Sequence, residues 1–295
     1  MNEPATAPLL DVQALSVVFR GRRRRSEPVR ALSEVSFRIE RGGTLALVGE
    51  SGSGKSTAAR AILRLIEPES GRVLLDGTDL MSLDRRELRR HRRDMQIVLQ
   101  DPYSSLDPSM TIGDSVAEPL KVHRRDLDKG GRHRLVADAF ERVGLAAHHL
   151  ARYPYEFSGG QRQRIAIARA IVIEPQLVIL DEAVSALDVS TQSQVLNLLQ
   201  QLQADMGMTY LFITHDLSVV RNVADEVVVL RTGEVVERGA TATVYDDPQH
   251  PYTRALLDAV PVPDPAAQRQ RRARRRAAES AGTDVQVTDA LTPSL

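Results

Sequence analysis

The sequence contains no cysteine, and none of its apolar runs approaches the roughly 18 residues that a membrane-spanning helix needs. The first absence excludes disulfides, thiolate metal sites and iron–sulfur clusters, and it fits a reducing compartment. The N-terminus, MNEPATAPLL, lacks a basic region followed by a long apolar stretch. We therefore expect a protein that is neither integral to a membrane nor secreted.

An excess of charge of either sign is also missing, because 39 Lys and Arg balance 39 Asp and Glu. No overall field draws the molecule onto nucleic acid, and we expect no nucleic-acid partner. A content of 42% hydrophobic and 26% charged residues is ordinary for a globular chain, and 295 residues can bury one large core or two modest ones.

Residues 49–57, GESGSGKST, fit the P-loop pattern G-x-x-x-x-G-K-S. The glycines let backbone N–H groups turn toward a β-phosphate, Lys55 reaches the β and γ oxygens, and the Ser56 hydroxyl can bind Mg²⁺. An apolar run at 44–48 and helical spacing over 57–66 supply the strand and helix that the motif needs. The alternative is a flexible Gly/Ser-rich turn before a helix. The residues expected to bind ATP are Gly49, Glu50, Ser51, Gly52, Ser53, Gly54, Lys55, Ser56 and Thr57.

Upstream of the P-loop, apolar patterns at 9–19 and 35–39 predict two antiparallel strands near the edge of a sheet. A charged loop, 21–28, joins them. Phe19, just before this loop, is either a core aromatic, which its position favours, or a platform on which a purine ring stacks.

Between the P-loop and residue 100, residues 67–71 stop the first helix, 73–75 read as a strand and 83–93 as a basic helix. A strand at 95–99 then ends in Gln100. A polar residue at the end of a buried strand points at the ligand crevice of an α/β fold, so Gln100 is a candidate contact for Mg²⁺ or water. Its alternative interpretation is a strand cap.

Strand signals vanish over about 101–174, where 112–122, 132–143 and 161–173 read as helices. This segment is predicted to be a helical insertion into the α/β core. Near its end Ser158 can cap the last helix, and two glycines after it leave backbone N–H groups bare. The segment is either a second anion-binding helix N-terminus or only a well-capped helix.

Two carboxylates, Asp181 and Glu182, follow the apolar strand at 177–180. Asp181 suits an outer ligand of Mg²⁺, and Glu182 can orient and polarise an attacking water as general base. A tight SALD loop at 185–188 precedes a helix at 191–206. His215 follows a strand at 209–214 and could hydrogen-bond a γ-phosphate, although a lone histidine at a strand end is usually structural.

The last quarter of the chain contains a hairpin, 226–230 and 234–237, which is predicted to close the sheet. A short helical stretch at 240–245 and an appended segment at 250–257 follow, and 261–265 ends the ordered structure. The Arg-rich run at 269–276 and the polar residues to 295 are typical of a disordered tail. The alternative is a contact with anionic lipid headgroups or RNA phosphates.

The P-loop, Gln100, SGGQ, the strand ending in Asp-Glu, SALD and His215 occur in one order that resembles the ATP-binding subunits of ABC transporters, over about 9–252. The resemblance implies an α/β fold: a P-loop NTPase (RecA-like) core with an antiparallel β subdomain and an inserted helical subdomain. It implies an ATP-binding domain at 1–240 with its helical subdomain at about 101–174. A C-terminal extension of the oligopeptide-transporter type at 241–265 and a basic tail at 266–295 would follow.

The resemblance also assigns expected roles. Glu182, His215 and Gln100 are the catalytic residues, with Glu182 the catalytic carboxylate. Ser56, Gln100 and Asp181 hold Mg²⁺, and Phe19 becomes the adenine-stacking aromatic. The residues expected to contact ATP bound on a partner subunit are Ser158, Gly159, Gly160, Gln161 and Asp188.

Within that family, QDPYSSLDPSM, YPYEFSGGQRQR, SALDVSTQSQVLNLL and HPYTRALLDAVP resemble the peptide-import subgroup, which takes up oligopeptides, dipeptides and sometimes nickel. Some members bind an iron–sulfur cluster, which a chain without cysteine cannot. A second departure is Ala183-Val184, where ABC proteins more often have Pro-Thr. The expected cofactors are ATP and Mg²⁺. The expected partners are two membrane permease subunits, a second identical or sister ATP-binding subunit and an extracytoplasmic solute-binding protein, with this chain at the cytoplasmic face of the membrane.

Three other functions compete with peptide import. An importer of nickel or another small solute would have the same catalytic motifs. A soluble ABC-type ATPase of DNA repair or translation usually has tandem cassettes or a long coiled coil, and neither appears in this sequence. A P-loop GTPase or small-molecule kinase would leave SGGQ unexplained, and no N-K-x-D motif is present.

Overall fold

The computed structural model describes residues 7–20, 27–101 and 105–259. Most of the predicted charged loop, the predicted end of ordered structure and the Arg-rich tail lie outside these ranges. The described strands are β1 (Leu10–Phe19), β2 (Val29–Ile39), β3 (Thr44–Val48), β4 (Ser70–Leu75), β5 (Thr78–Asp79), β6 (Met95–Val98), β7 (Leu177–Asp181), β8 (Thr209–Thr214), β9 (Glu226–Arg231) and β10 (Glu234–Ala240).

The described helices are α1 (Lys55–Ile62), α2 (Arg85–His91), α3 (Ile112–His123), α4 (Lys129–Arg142), α5 (Gly159–Ile171), α6 (Val189–Met206), α7 (Leu217–Val223), α8 (Thr241–Asp246) and α9 (Pro251–Ala259). Short 3₁₀ turns occupy Ala147–Ala151 and Pro154–Glu156. Within the described ranges, no helix combines the length and the apolar character that crossing a bilayer would demand.

The strands form two sheets in the described part of the chain. The antiparallel sheet has the order β2-β1-β4-β5, and the other has the order β10-β9-β3-β8-β7-β6. The prediction of β1 and β2 as two antiparallel strands near a sheet edge is confirmed: β2 is the edge strand, and β1 lies next to it, between β2 and β4. Both belong to a sheet separate from the P-loop strand.

The second sheet places the candidate site residues along one edge. β3 pairs in parallel with β8 and β9, and β7 pairs in parallel with β6 and β8. β3, β7 and β8 are buried along their whole length, as expected for strands covered on both faces. Their carboxyl ends therefore present the P-loop, the paired carboxylates and His215 at one edge, where ligands bind in open α/β sheets.

Three apolar clusters fill the spaces between the layers. The first packs the antiparallel sheet and α1 against one face of β3, β7 and β8. The second packs the opposite face of β7 and β8 against the inserted helices and α6. The third joins β3 and β9 to α7, α8 and α9. The helical insertion therefore shares one core with the parallel sheet.

Helix boundaries differ from the predicted ones where a capping side chain decides them. α4 begins at Lys129 because Asp128 accepts the N–H of Gly131, and α2 begins after Asp84, which forms a capping box. α6 begins at Val189, two residues earlier than predicted, because Asp188 caps it. α1 ends at Ile62, four residues early, and Arg64 beyond it adopts the left-handed conformation.

Candidate functional site

The P-loop follows β3 and turns sharply into α1. A Cβ on Gly49 would lie 2.1 Å from the carbonyl oxygen of Leu230, at the end of β9. Gly54 has a φ of 108°, and a Cβ there would lie 2.6 Å from the oxygen of Ala31. Both positions require glycine, since the neighbouring backbone leaves no room for a side chain.

A cavity of about 280 Å³ lies against this loop. The P-loop contributes Ser51, Gly52, Gly54, Lys55, Ser56 and Thr57 to its lining, and Ala31, Gln100 and Glu182 complete it. The structure thus brings Gln100 and Glu182, which are far apart in sequence, to the loop as predicted from strand order.

Lys55 is only 4% exposed and folds back over the loop. Its Nζ donates to the carbonyl oxygens of Gly49 and Glu50, each at 2.7 Å. Burial lowers the pKa of Lys55, and the nearby charges of Glu182, Asp181 and Glu50 oppose that shift. Among the described residues, the buried Lys55 ammonium is thus bonded to two loop carbonyls.

Asp181 is buried at the end of β7, where its Oδ1 accepts a hydrogen bond from Ser56 Oγ at 3.0 Å. Burial raises the pKa of Asp181, the bond from Ser56 opposes the shift, and the charge of Glu182 adds to it. A hydroxyl and a carboxylate at this distance are hard oxygen donors, and they fit Mg²⁺, which needs few ligands from the protein.

Glu182 has a φ of 50°, so the chain turns abruptly after β7. Its N–H donates to the oxygen of Ile213 at 2.9 Å, and Ser185 Oγ donates to its carbonyl oxygen at 2.9 Å. Oε1 of its carboxylate lies 3.3 Å from Nδ1 of the half-exposed His215. The turn aims the carboxylate at the cavity, with His215 beside it.

The two residues after Glu182 differ from the Pro-Thr expected by resemblance. Ala183 and Val184 are both buried in the core that the sheet shares with the inserted helices. Both side chains are apolar and pack in that core. The backbone hydrogen bonds of Glu182 fix its orientation.

The SGGQ segment lies apart from the P-loop cavity, and no residue of 158–161 is among the residues that line it. Ser158 Oγ accepts the N–H of Gln161 at 3.4 Å, and Gln161 Oε1 accepts the N–H of Ser158 at 3.0 Å. Within the described residues, a Cβ on Gly159 would meet nothing within 4 Å. Gly160 packs so closely that its Cβ would lie 2.3 Å from Thr191 Cγ2.

Asp188, like Ser158, is exposed and caps a helix. Its Oδ1 accepts the N–H of Thr191 at 3.0 Å, and this backbone bond lowers the pKa of Asp188. Thr191 consequently touches both the SALD loop and the SGGQ segment. Val189, next in the chain, is 80% exposed.

Phe19 is 43% exposed at the end of β1, so its interpretation as a core aromatic is wrong. It pairs with Val29 on β2 and is not among the residues that line the P-loop cavity. Its role as an adenine platform stays a prediction.

Sequence reasoning missed the outer supports of the P-loop. The N–H of Gly233, in the β9–β10 turn, donates to Ser53 O at 2.9 Å, and Tyr252 of α9 accepts the N–H of Glu50. The predicted hairpin and the HPYT stretch contained these residues, but no local pattern connects them with a loop about 200 positions away.

In this sheet β3 runs into a P-loop, and β7, two strands away, ends in two carboxylates; together these features define a P-loop nucleotide-binding protein of the α/β class. A family model described as ABC transporter matches residues 32–185, and one described as the C-terminal region of oligopeptide/dipeptide transporters matches 236–284. The chain belongs to the ABC transporter family, which confirms the predicted family and fold class.

Curated relatives support the same membership. The chain is 53% identical over 244 residues to the glutathione import ATP-binding proteins GsiA of Shigella flexneri and Escherichia coli (strain K12). These matches cover 83% of this chain but only 39% of each relative. The chain thus spans well under half the length of the curated relatives it matches.

Solved structures share the fold at 30% identity. CbiO1 of Clostridium perfringens, part of the ABC transporter complex cbiONQ, aligns with a TM-score of 0.72 over 81% of this chain and 91% of its own. The ATP-binding cassette MJ0796, solved as a dimer in a post-hydrolysis state with ADP and Pi, aligns with a TM-score of 0.70 over 79% and 98%.

Proposed function

We propose that this chain is the ATP-hydrolysing subunit that powers an ABC importer. The observation that carries the proposal is the single cavity that joins the P-loop to Glu182 and Gln100, with Ser56 and Asp181 bonded to each other beside it. A nucleotide cradle alone binds, but a cradle with a carboxylate positioned at its phosphate end can also hydrolyse.

Binding uses the loop and its lysine. The N–H groups of the loop and the N-terminus of α1 receive the phosphates, and Lys55 exchanges its loop carbonyls for β and γ oxygens. Ser56, Asp181 and Gln100 would hold Mg²⁺. When bound, Mg²⁺ neutralises charge on the β and γ oxygens.

Hydrolysis uses Glu182 and His215. Glu182 accepts a proton from the attacking water as general base, and the abrupt turn after β7 fixes the direction of its carboxylate. His215, 3.3 Å from that carboxylate, orients it and contacts the γ-phosphate. Phe19 supports the adenine ring.

A second ATP-binding subunit completes the site. Ser158, Gly159, Gly160, Gln161 and Asp188 meet a nucleotide held by the partner, so a head-to-tail dimer encloses two ATP molecules. The open space beside Gly159 supports this step, because it leaves room for a ligand from a second chain near the N-terminus of α5. The related cassette MJ0796 was solved as a dimer with hydrolysis products.

The helical insertion passes dimer closure to two membrane permease subunits. A groove of about 530 Å³ between α3, α4 and the turn at Ala147–Ala151 supports this assignment. Its rim carries Lys121, Lys129, Arg132, His133 and His148 against the carboxylate of Asp114. A permease segment with acidic side chains would complement this surface. The chain would then be a peripheral subunit at the cytoplasmic face of the membrane.

Short peptides are the proposed cargo, delivered by an extracytoplasmic solute-binding protein. The match of 236–284 to the oligopeptide/dipeptide transporter region and the identity to glutathione import proteins support oligopeptides or dipeptides over nickel. The proposed domains are 1–240, with its helical subdomain at about 101–174, then the extension 241–265 and the tail 266–295.

Purification from a native membrane tests the transport assignment. A tagged full chain extracted in mild detergent is expected to bring along two permeases and to hydrolyse MgATP, while Lys55→Ala retains the permeases and loses turnover. Recovery of ribosomes or DNA in place of permeases would favour the soluble ABC ATPase and contradict the proposal.

A further inference from the structure

The last helix of the described residues, α9, reaches the P-loop through the side chain of Tyr252. Tyr252 Oη accepts a hydrogen bond from the backbone N–H of Glu50 at 3.1 Å, between residues 202 positions apart. The tyrosine is 6% exposed and packs with Ala46 and Val48 of the P-loop strand. The guanidinium of Arg231 lies 5.0 Å from its ring centroid. Its hydroxyl is therefore fixed in place before any nucleotide arrives.

The residue bonded to Tyr252 also supports Lys55. Glu50 directs its N–H to the tyrosine, while its carbonyl oxygen accepts a bond from Lys55 Nζ at 2.7 Å. Glu50 does not line the cavity, although Ser51 and Gly52 directly after it do. The bond to Tyr252 thus sets the orientation of the first peptide group of the loop. Because the chain continues from this group, its orientation also determines where the following N–H groups point.

The segment that carries Tyr252 is itself anchored. Glu237 of β10 accepts the N–H groups of Gln249 at 2.7 Å and His250 at 3.0 Å, just before α9 begins. The β9–β10 turn adds the bond from Gly233 to Ser53. The outer side of the P-loop is consequently held by elements of the C-terminal third, within or beside the matched region 236–284.

We infer that Tyr252 is a positioning residue of the nucleotide site, through which the C-terminal region sets the affinity of the P-loop for nucleotide. The inference rests on the proposed function, since it takes MgATP to be the ligand of the loop. A phenylalanine retains the packing and the contact with Arg231 but leaves the Glu50 N–H without its acceptor, so the loop spends part of its time misdirected.

Tyr252→Phe in the full chain tests the inference, with Tyr245→Phe as its matched control. Tyr245 lies in α8 of the same region, and its hydroxyl donates to the carbonyl of Leu217 outside the P-loop. Tyr252→Phe is expected to raise the Kd for MgATP about threefold to tenfold in titration calorimetry, whereas Tyr245→Phe leaves it at the parent value. Both variants are expected to lower Tm to a similar extent.

Amide hydrogen exchange of the nucleotide-free chain provides a second readout. Peptides covering 49–57 are expected to exchange faster in Tyr252→Phe and at the parent rate in Tyr245→Phe. Equal Kd values and equal P-loop exchange in the two variants would overturn the inference while leaving ATP binding intact. A parent chain that binds MgATP no better than Lys55→Ala would instead overturn the proposed function, and the inference with it.

Discussion

α1 and α5 both begin at glycine-rich N-termini, and their surroundings differ in almost every respect. α1 is surrounded: Lys55 lies over the loop, two carboxylates approach from β7, and the β9–β10 turn and Tyr252 support its outer side. α5 is bare: among the described residues, the side chains of Ser158 and Gln161 bond to each other's backbone N–H groups, and a Cβ on Gly159 would meet open space. The N-terminus of α1 therefore has the groups for binding a ligand within its own chain. The N-terminus of α5 lacks such groups around it, and a second chain can supply them.

The largest expected effect separates chemistry from binding at the surrounded end. Glu182→Gln is expected to reduce hydrolysis at least about a hundredfold, because the amide cannot accept the proton from water, while MgATP still binds. Phosphate release and titration calorimetry measure the two quantities. Glu141→Gln, which changes an exposed acid of α4 outside the cavity lining, is the control and should hydrolyse near the parent rate. Parent-rate turnover by Glu182→Gln would remove the general base from the mechanism.

The next prediction contrasts alanine substitutions at Gly159 and Gly160, the two adjacent glycines at the N-terminus of α5. Gly159→Ala has room in the chain, so Tm should hold, yet hydrolysis should fall at least about tenfold because the methyl group meets the partner's nucleotide. Gly160→Ala meets Thr191 Cγ2, and we expect a loss of about 1 to 3 kcal/mol in unfolding free energy.

Thermal unfolding and ATP hydrolysis assays check this pair. Thr191→Ser removes the colliding methyl group and should restore the Tm of Gly160→Ala. Full hydrolysis by Gly159→Ala would mean that no nucleotide approaches this end, and the trans arrangement would then be wrong.

The smallest expected effect contrasts the carboxylates of the two ends through pH. Burial raises the pKa of Asp181 above its ordinary value of 3.8. The free energy of unfolding therefore falls as pH rises above 3.8 and that carboxylate ionises in the folded chain. Asp181→Asn should therefore raise Tm by a few degrees near about pH 8, with a gain that shrinks on acidification, while weakening Mg²⁺-dependent ATP binding.

Asp188 should behave in the opposite sense. Its pKa is lowered by the bond from Thr191, so its ionised form stabilises the fold above the ordinary value of 3.8, and that contribution disappears as pH falls. Asp188→Ala should lower Tm at neutral pH and matter less in acid. Thermal scans across pH check both signs, and a lower Tm for Asp181→Asn at neutral pH would contradict the desolvation argument.

The edge of the parallel sheet was predictable because its information is local. Apolar strands that end in Gln100, in two carboxylates or in His215 must share an edge once the strands are parallel. The separate antiparallel sheet was not predictable in this way, since the pairing of β1 with both β2 and β4 depends on partners that no local pattern names. α7, of seven residues, is too short for helical periodicity to identify it, although Asp216 caps it.

Long-range contacts set the remaining limit. The exposure of Phe19 depends on what covers the end of β1, and the bond between Tyr252 and Glu50 joins residues 202 positions apart. Resemblance supplied the roles of Ser158 and Asp188, but it did not reveal that both segments touch Thr191.

Thr191 couples the SALD loop to the SGGQ segment at the N-terminus of α5. Because Thr191 holds the SALD turn by its amide and lies against Gly160 by its methyl group, neither segment can shift without displacing the other. A second subunit would then contact the two segments as one rigid surface. Its contact with the exposed Val189 and the binding of its triphosphate at the SGGQ segment would therefore depend on each other.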